Sequence, residues 1–283
     1  MPRYGLGYAP SVLLSHAQRT AENSAAYLLP HLRPDMAVLD VGCGPGTITL
    51  DLAGHVPEGR VVGIDVGEDT LVVARGEAAR RGDTRTQFLL ADTMGLPFPD
   101  GVFDVVHAHQ VLQHVADPVA ALREMARVCR TEGRIACRDA DYEAMTWYPA
   151  SPGMTRWLEV YRAMARLNGG EPDAGRRLKS WCVHAGLTEV QAGASTWCYT
   201  TPESTQWWSR SWAQRVRTAE FADRARELGL ATAQEVGLMA DDWLQWGTSA
   251  DAWFVLLHGE VLARPPRSQQ HGVLPENPER SST

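Results

Sequence analysis

A glycine-rich turn between an apolar run and a helical pattern constrains this chain more than any other feature. Residues 38–53 read VLDVGCGPGTITLDLA, so the apolar run ends in an acid, Asp40, and leads into Gly42, Gly44 and Gly46. Glycine lacks a Cβ and adopts positive φ readily, which lets the backbone approach a ligand closely at the start of a helix. The pattern predicts a strand, a ligand-binding turn and a helix, in that order.

Short apolar runs alternate with helical patterns from residue 36 to 139, which is typical of a parallel sheet covered by helices. The predicted strands are 36–41, 60–65, 86–91, 103–108, 133–139, 187–194 and 252–261. The predicted helices are 15–29 (capped by Ser15 and ended by Pro30), 46–54, 68–81, 117–129, 153–168, 174–185, 203–227 and 232–246. The sequence therefore predicts an α/β fold.

Composition narrows the class of protein further. A chain of 283 residues with 44% apolar content is long enough to bury a full core. The net charge of −7 argues against nucleic acid as a partner, because binding many phosphates needs a basic face. The five cysteines form no C-x-x-C motif, so neither a metal site nor a disulfide framework is expected, and reduced thiols favour the cytoplasm. No apolar run approaches the length of about 18 residues that suggests a membrane span.

The spacing of the glycines bears on which cofactor the turn holds. A dinucleotide fingerprint needs a third glycine at position 47, where this chain has Thr47. Asp40 would repel a diphosphate but could neighbour a cation. S-adenosylmethionine carries no phosphate and has a positive sulfonium and an ammonium, so it suits this turn better. A nicotinamide-dependent enzyme with a divergent turn stays open as an alternative.

Three motifs occur in a recognisable order: VLDVGCGPG, then VVGIDVG ending a strand at Asp65, then LLADTMGLPFPDGVFDVV. From about residue 15 to 142 the chain resembles the class I S-adenosylmethionine-dependent methyltransferases, in particular the ubiquinone and menaquinone C-methyltransferases. The resemblance implies a seven-stranded twisted sheet of order 3-2-1-4-5-7-6 with its last strand antiparallel. It also implies helices on both faces of the sheet, and insertions beyond the minimal fold predict a helical lid.

The resemblance also implies residue roles around S-adenosylmethionine. Asp40 would lie near the methionine ammonium, and Asp65 would accept hydrogen bonds from the ribose hydroxyls. Asp92 would accept one from the adenine amino group. The remaining expected cofactor-side residues are Tyr4, Arg19, Gly42, Gly44, Gly46, Val66, Thr93, His109 and Gln110, with Tyr4, Tyr8 and Arg19 in an arm that could fold over the cofactor.

Methyl transfer needs a base only where the acceptor loses a proton. His109 and His114 are the predicted catalytic residues, although a histidine in such a segment also serves as a polar spacer or a cofactor contact. The other candidate bases are His107, Asp139, Asp141 and Tyr142. The segment 138–149, RDADYEAMTWYP, is predicted to leave the fifth strand and form a substrate edge.

All ten tryptophans lie after residue 146. They either fill a second core or line a substrate chamber under a lid formed by 140–174 and 203–248. In the second interpretation the acceptor contacts are Trp207, Trp243 and Trp246, together with Asp141 and Tyr142. Such a chamber would take an apolar or aromatic acceptor, or a cationic one through the ring faces.

These observations predict an N-terminal helical arm (1–30), a cofactor-binding core (31–140), a substrate side (141–264) and a disordered tail (265–283). The predicted function is methyl transfer from S-adenosylmethionine to a small apolar or aromatic metabolite, in secondary metabolism. A protein of this fold that binds the cofactor without transferring methyl, including a pericyclase-like enzyme, is the alternative.

Overall fold

The computed structural model describes residues 18–266. Its strands are β1 (Ala37–Val41), β2 (Arg60–Asp65), β3 (Gln87–Leu90), β4 (Phe103–His109), β5 (Cys129–Tyr148), β6 (Thr188–Tyr199) and β7 (Trp253–Arg264). They form one sheet in the order β3-β2-β1-β4-β5-β7-β6. Strand β7 runs antiparallel to both of its neighbours, and the other pairs are parallel. The predicted fold class, strand order and antiparallel last strand are confirmed.

The helices within this range alternate with the strands and then accumulate before β7. They are α1 (Ala21–Ser24), α2 (Thr47–His55), α3 (Glu68–Arg81), α4 (Pro118–Val128), α5 (Pro152–Leu167), α6 (Leu178–His184), α7 (Pro202–Val216), α8 (Ala219–Glu227) and α9 (Ala233–Trp246). Local signals set their ends: Asp117 caps α4 by accepting from the Ala120 N–H, and Gly82 ends α3 at φ 69°. None of the helices between residues 18 and 266 is long and apolar enough to cross a membrane.

The parallel strands are buried on both faces because helices cover both. Successive residues of β1 point to opposite faces of the sheet. Leu39 belongs to a buried cluster that includes Leu122 of α4, and Val38 belongs to another that includes Leu52 of α2. Because both faces are packed, the positions of the parallel strands are well defined. The carboxyl ends of these strands therefore form a well-defined edge of the sheet.

One predicted helix, 203–227, is divided in the structure into α7 and α8. Thr218 lies between them in an extended conformation, φ −70° and ψ 155°, and its hydroxyl donates to the Arg215 carbonyl. Threonine hydrogen-bonds readily to nearby backbone and favours helix ends over helix interiors. The continuous helix prediction was wrong because Thr218 was taken as an interior residue.

The predicted helix 15–29 is also shorter where it is described. Thr20 caps α1 through the Asn23 N–H, the helix ends at Ser24, and Pro30 lies within a separate turn of 3-10 helix, Leu29–His31. The Ser24 hydroxyl donates to Asn23, and these short polar side chains compete with continued helix. The predicted residues Tyr4, Tyr8 and Ser15 and the tail from residue 267 lie outside the described range.

Strand β5 continues well beyond the predicted 133–139. It pairs with β7 as far as Tyr148, with an irregularity in register between Asp141 and Thr146. The segment 138–149 therefore does not leave the sheet as an open substrate edge: most of it is strand. An uninterrupted partner, β7, supplies the hydrogen bonds that keep it extended, and no local signal in β5 reveals that partner.

Candidate functional site

A cavity of about 320 Å³ lies beyond the carboxyl ends of β1, β2 and β4. Its lining includes nearly all of the predicted cofactor-side residues within the described range: Arg19, Asp40, Gly42, Gly44, Asp65, Val66, Asp92, Thr93, His109 and Gln110. In open α/β sheets, ligands bind at this edge. We call it the cofactor cavity.

The glycine turn forms one wall of this cavity, in the conformation that its sequence requires. Gly42, Gly44 and Gly46 have φ values of 66°, 55° and 79°. A Cβ on Gly42 would lie 2.4 Å from a Val111 methyl carbon, and one on Gly46 would lie 2.9 Å from the Phe88 ring. Both the backbone angles and the space therefore require glycine, although Gly46 packs behind the turn and does not itself line the cavity.

Asp65, at the end of β2, ties this turn to the next one. Its carboxylate accepts hydrogen bonds from the Gly44 N–H at 3.1 Å and the Gly67 N–H at 2.9 Å. Burial raises the pKa of the Asp65 carboxyl, and the backbone hydrogen bonds from Gly67 and Gly44 oppose that rise. Each carboxylate oxygen can accept a further bond, so Asp65 can still receive two hydroxyl groups.

Asp40 was predicted to lie near the methionine ammonium, and in the structure both of its carboxylate oxygens already have protein partners. It is buried, its Oδ2 accepts from the Thr49 hydroxyl at 2.6 Å, and its Oδ1 lies 2.7 Å from His107 Nδ1. The pair joins β1 to β4 directly beneath the cofactor cavity. His107, one of the candidate bases, is therefore a buried partner of Asp40 and does not line the cavity.

Asp92 and Thr93 lie at the other end of the cavity, after β3. Asp92 is exposed, and its Oδ1 accepts from the Met94 N–H at 2.9 Å, an Asx turn that holds the loop in place. Val66 is also exposed, at 61%, although it is an apolar side chain on the cavity wall. An apolar surface beside a carboxylate suits a flat, polar-edged group such as adenine.

The charges around the cofactor cavity distinguish the cofactors considered above. Four carboxylates line it, those of Asp40, Asp65, Asp92 and Asp117, against one guanidinium, that of Arg19. A diphosphate would face repulsion from these acids, whereas a sulfonium and an ammonium are attracted to them. The residues present fit S-adenosylmethionine: the acids after β2 and β3 would hold the ribose and adenine, and the glycine turn would contact the methionine part.

A second cavity, of about 670 Å³, adjoins the first. Aromatic side chains form much of its wall: Tyr142, Trp197, Tyr199, Trp207, Trp208 and Trp212. The Tyr199 and Trp208 rings stack with centroids 4.4 Å apart, which makes this wall rigid. Arg19 and Gln110 line both cavities. We call the second one the acceptor cavity.

Gln110 holds the junction between the two cavities. Its Oε1 accepts from the Arg19 guanidinium at 2.7 Å, and its side-chain amide lies 2.8 Å from His258 Nε2. Its backbone has φ 54°, a left-handed conformation that is rare for a residue with a Cβ. Such strain is maintained only where surrounding contacts over-determine it, and it concentrates at functional sites. The sequence predicted Gln110 as a cofactor contact but gave no sign of this junction.

The two predicted catalytic histidines line the cofactor cavity and are neutral near pH 7. Burial lowers the pKa of His109 well below its usual value, and Arg19 and Arg138 lower it further. Burial, helped by Arg19, lowers the pKa of His114 to about 3. A weakly basic imidazole is a poor proton acceptor, because efficient general bases have pKa values near the working pH.

The predicted acceptor contacts divide between the cavity and the core. Tyr142 and Trp207 line the acceptor cavity. Asp141 lies outside it, where its carboxylate accepts from the Arg176 guanidinium at 2.6 Å. Trp243 is buried in an aromatic core with Trp157 and Phe254, and Trp246 packs on Phe254 and lines a different cavity, of about 730 Å³. Neither lines the acceptor cavity. The helical spacing of the tryptophans indicates that one face of each helix is buried. It does not indicate whether that face packs in a core or lines a cavity.

Several residues of the acceptor cavity were not named as acceptor contacts from the sequence. Trp197 and Tyr199 of β6 and Arg215 of α7 were not singled out, and Trp208 and Trp212 of α7 were considered only among the tryptophans of the predicted lid. The confinement of tryptophan to the second half of the chain was a signal for the aromatic wall in general. No local pattern distinguished Arg215 from Arg210, the other arginine of α7.

Asp139 gives a testable pH dependence of stability. Burial raises the pKa of this carboxyl from its ordinary value of 3.8 to about 7, while hydrogen bonds from the Gln113 and Leu112 backbone oppose that rise. Between these two pH values the folded protein holds a proton that the unfolded chain releases, so this group makes stability fall as pH rises from about 4 to 7. Asp139→Asn keeps the oxygen that accepts from Gln113 and removes the titration.

We expect Asp139→Asn to exceed the wild type in free energy of unfolding at pH 8 by about 1–4 kcal/mol, the equivalent of one to three pKa units. The difference should shrink progressively toward pH 4. Urea denaturation of both proteins across this range measures it. An offset that does not change with pH would contradict the assignment.

Comparisons with known proteins agree with this geometry. The methyltransferase domain family matches residues 32–209. An uncharacterized methyltransferase of Schizosaccharomyces pombe is 34% identical over 271 residues, covering 92% of this chain and 95% of its own length.

Solved structures share the fold at lower identity. The YcgJ protein of Bacillus subtilis superposes with a TM-score of 0.58 at 20% identity, covering 87% of this chain and 99% of its own. The cyclase SpnF superposes with a TM-score of 0.51 at 21% identity, covering 90% and 81% of the two chains. The chain therefore belongs to the methyltransferase domain family, and its predicted resemblance to the class I S-adenosylmethionine-dependent methyltransferases is confirmed.

Proposed function

We propose that this protein transfers the methyl group of S-adenosylmethionine to a small apolar or aromatic metabolite bound in the acceptor cavity. One observation carries the proposal: the cofactor cavity and the acceptor cavity share Arg19 and Gln110 as lining residues. A donor in the first cavity and an acceptor in the second would therefore meet at these two side chains. A role in secondary metabolism and a cytoplasmic location stay predictions from the sequence.

The cofactor supplies an electrophilic methyl group on a sulfonium, and the protein's task is to hold donor and acceptor in line. Asp65 and the glycine turn would fix the donor, because both belong to the rigid ends of β1 and β2. Gln110 would fix the junction through its bonds to Arg19 and to His258. Positioning of this kind needs no charged catalytic group on the protein.

The acceptor cavity favours a flat apolar group for a simple reason. Its walls are aromatic rings that stack on one another, and a planar acceptor continues the stack and excludes water. Tyr142 stacks on Tyr161 with ring centroids 4.4 Å apart, and Tyr199 stacks on Trp208 at the same distance. A cavity of about 670 Å³ is within the range of small-molecule sites.

The experiment is an incubation with methyl-labelled S-adenosylmethionine and a set of phenols, quinols, aromatic acids and aliphatic lipids, followed by mass spectrometry. We expect labelled product from at least one planar acceptor. At a cofactor concentration near the wild-type dissociation constant, an Asp65→Ala control should give much less product, because it binds the cofactor more weakly. A protein that binds S-adenosylmethionine but labels no acceptor, while converting a substrate to an isomer, would favour the pericyclase-like alternative. Binding without either reaction would contradict an enzymatic role.

A further inference from the structure

We propose that the methyl acceptor is an organic anion, a carboxylate or an ionised phenol or enol on an apolar frame, and that Arg215 with Arg19 recognises its charge. The inference deepens the proposed function, on which it rests, because it concerns the same acceptor cavity. Its test is binding of a charged probe, so it can fail or succeed separately from methyl transfer.

Arg215 brings a positive charge to the part of the wall that the aromatic rings form. It lies on α7, lines the acceptor cavity, and is 5% exposed. Its guanidinium carbon lies 4.8 Å from the centroid of the Trp212 ring. A guanidinium offers several N–H donors in a fixed plane, which match the two oxygens of a carboxylate.

Arg19 brings a second positive charge, at the junction with the cofactor cavity. Its guanidinium donates to Gln110 and lies 5.5 Å from the Trp197 centroid. An acceptor anion that reaches Arg19 would therefore have its charged end close to the cofactor cavity. Both arginines belong to the lining, so the cavity offers a bound molecule two positive charges.

The charge balance of the acceptor cavity is positive within the described residues. Glu203 is the carboxylate among its lining residues, and it is exposed in the first turn of α7. Burial raises the pKa of Tyr142, and Arg215 and Arg19 both oppose that rise. The same two arginines oppose the rise that burial causes at Tyr199. Both arginines therefore exert a positive electrostatic potential at the Tyr142 and Tyr199 hydroxyl groups, which lie beside the proposed acceptor position.

The ring faces argue against the cationic acceptor that the tryptophans alone had left open. Trp197 already has Arg138 at 5.1 Å and Arg19 at 5.5 Å from its centroid, and Trp212 has Arg215. A cationic ligand would meet like charges beside these rings and gain little from them. An anion would instead be attracted to the guanidinium groups that already lie over these rings.

An anionic acceptor also removes the need for a strong base on the protein. The electron pair of the anionic oxygen or carbon forms the bond to the methyl carbon, the carbon–sulfur bond breaks, and its electron pair stays on sulfur. No proton leaves the acceptor during the transfer. This agrees with the neutral, weakly basic state of His114, whose pKa is lowered to about 3 by burial and Arg19.

The test uses three probes of one shape in the presence of S-adenosylhomocysteine: 2-naphthoate, 2-naphthamide and 2-naphthylmethylammonium. Calorimetry on the full chain should show the carboxylate binding at least about tenfold more tightly than the amide, as a charge-assisted pair predicts. The ammonium should bind least well. Arg215→Met should reduce the carboxylate-to-amide ratio toward one, and Arg215→Lys should retain part of it.

Arg210→Met is the matched control, because Arg210 lies on the same helix, is exposed and donates to Gln206. It should leave the ratio unchanged. Circular dichroism and S-adenosylhomocysteine affinity confirm that Arg215→Met is folded, and Arg215→Lys replaces it if it is not. Equal binding of carboxylate and amide, a preference for the ammonium, or no binding of the carboxylate would each overturn the inference. Tight carboxylate binding without methyl transfer to any acceptor would instead count against the proposed function alone.

Discussion

Asp65→Ala is expected to weaken S-adenosylmethionine binding by about 1.5–3 kcal/mol, or about ten- to 150-fold in dissociation constant, because charged hydrogen bonds are lost. The carboxylate lines the cofactor cavity and is held in place by the Gly44 and Gly67 N–H groups. Preorganised acceptors of this kind bind hydroxyl groups without a further ordering cost. Calorimetric titration with S-adenosylmethionine and S-adenosylhomocysteine gives the measurement.

The control separates binding from the integrity of the glycine turn. Asp69→Ala removes an exposed carboxylate from the first turn of α3, close to Asp65 in sequence and outside the cavity lining. It should leave the affinity within about twofold, since surface charges of this kind contribute little. Melting of both variants without ligand shows whether the loss of the Gly44 hydrogen bond alters the fold. Unchanged cofactor affinity in a folded Asp65→Ala protein would remove Asp65 from the cofactor site.

The cofactor side of the molecule could be predicted because its chemistry is local in sequence. A strand, a glycine turn and a helix are specified by adjacent residues, and parallel strands bring their carboxyl ends to one edge of the sheet. Gly42, Gly44 and Asp65 therefore line one cavity, and their contacts with the cofactor stay a prediction. The strand order did not follow from local sequence: it was predicted from the resemblance to a known family, and it is confirmed.

The acceptor side could not be predicted to the same degree, because it is assembled from distant elements. Arg19 precedes the sheet, Tyr142 lies on β5 and Arg215 on α7, and their meeting depends on how these elements pack. Asp141 had the position of a substrate ligand in sequence, yet the strand continues past it and Arg176 binds its carboxylate. Pairing of that kind between side chains 35 residues apart leaves no periodic signal.

The roles of the individual tryptophans could not be predicted from the sequence either. Their confinement to one half of the chain predicted an aromatic core or an aromatic chamber, and the structure contains both. Trp212 contributes to each: it lines the acceptor cavity and also packs against Trp157 and Trp243. Sequence patterns cannot separate two roles that share a helix and a residue type.

Trp243 and Trp207 should therefore respond differently to substitution. Trp243 is fully buried and packs against Trp157 at 5.0 Å and Phe254 at 5.7 Å, so Trp243→Ala is expected to lower the free energy of unfolding by about 3–5 kcal/mol. Trp207 is partly exposed on the cavity wall, so Trp207→Ala should cost about 1 kcal/mol or less in stability and should reduce acceptor affinity. Urea denaturation and calorimetry with 2-naphthoate measure the two effects.

The milder variants Trp243→Phe and Trp207→Phe keep the comparison possible if Trp243→Ala does not fold. Trp243→Phe should still lower stability, because it leaves unfilled volume in a closed core, whereas folded protein should bind the probe normally. Trp207→Phe should retain stability and lose part of the stacking surface. If Trp243→Phe instead reduced probe affinity at unchanged stability, Trp243 would belong to the acceptor chamber, and the separation of core from cavity drawn from its burial would be incorrect.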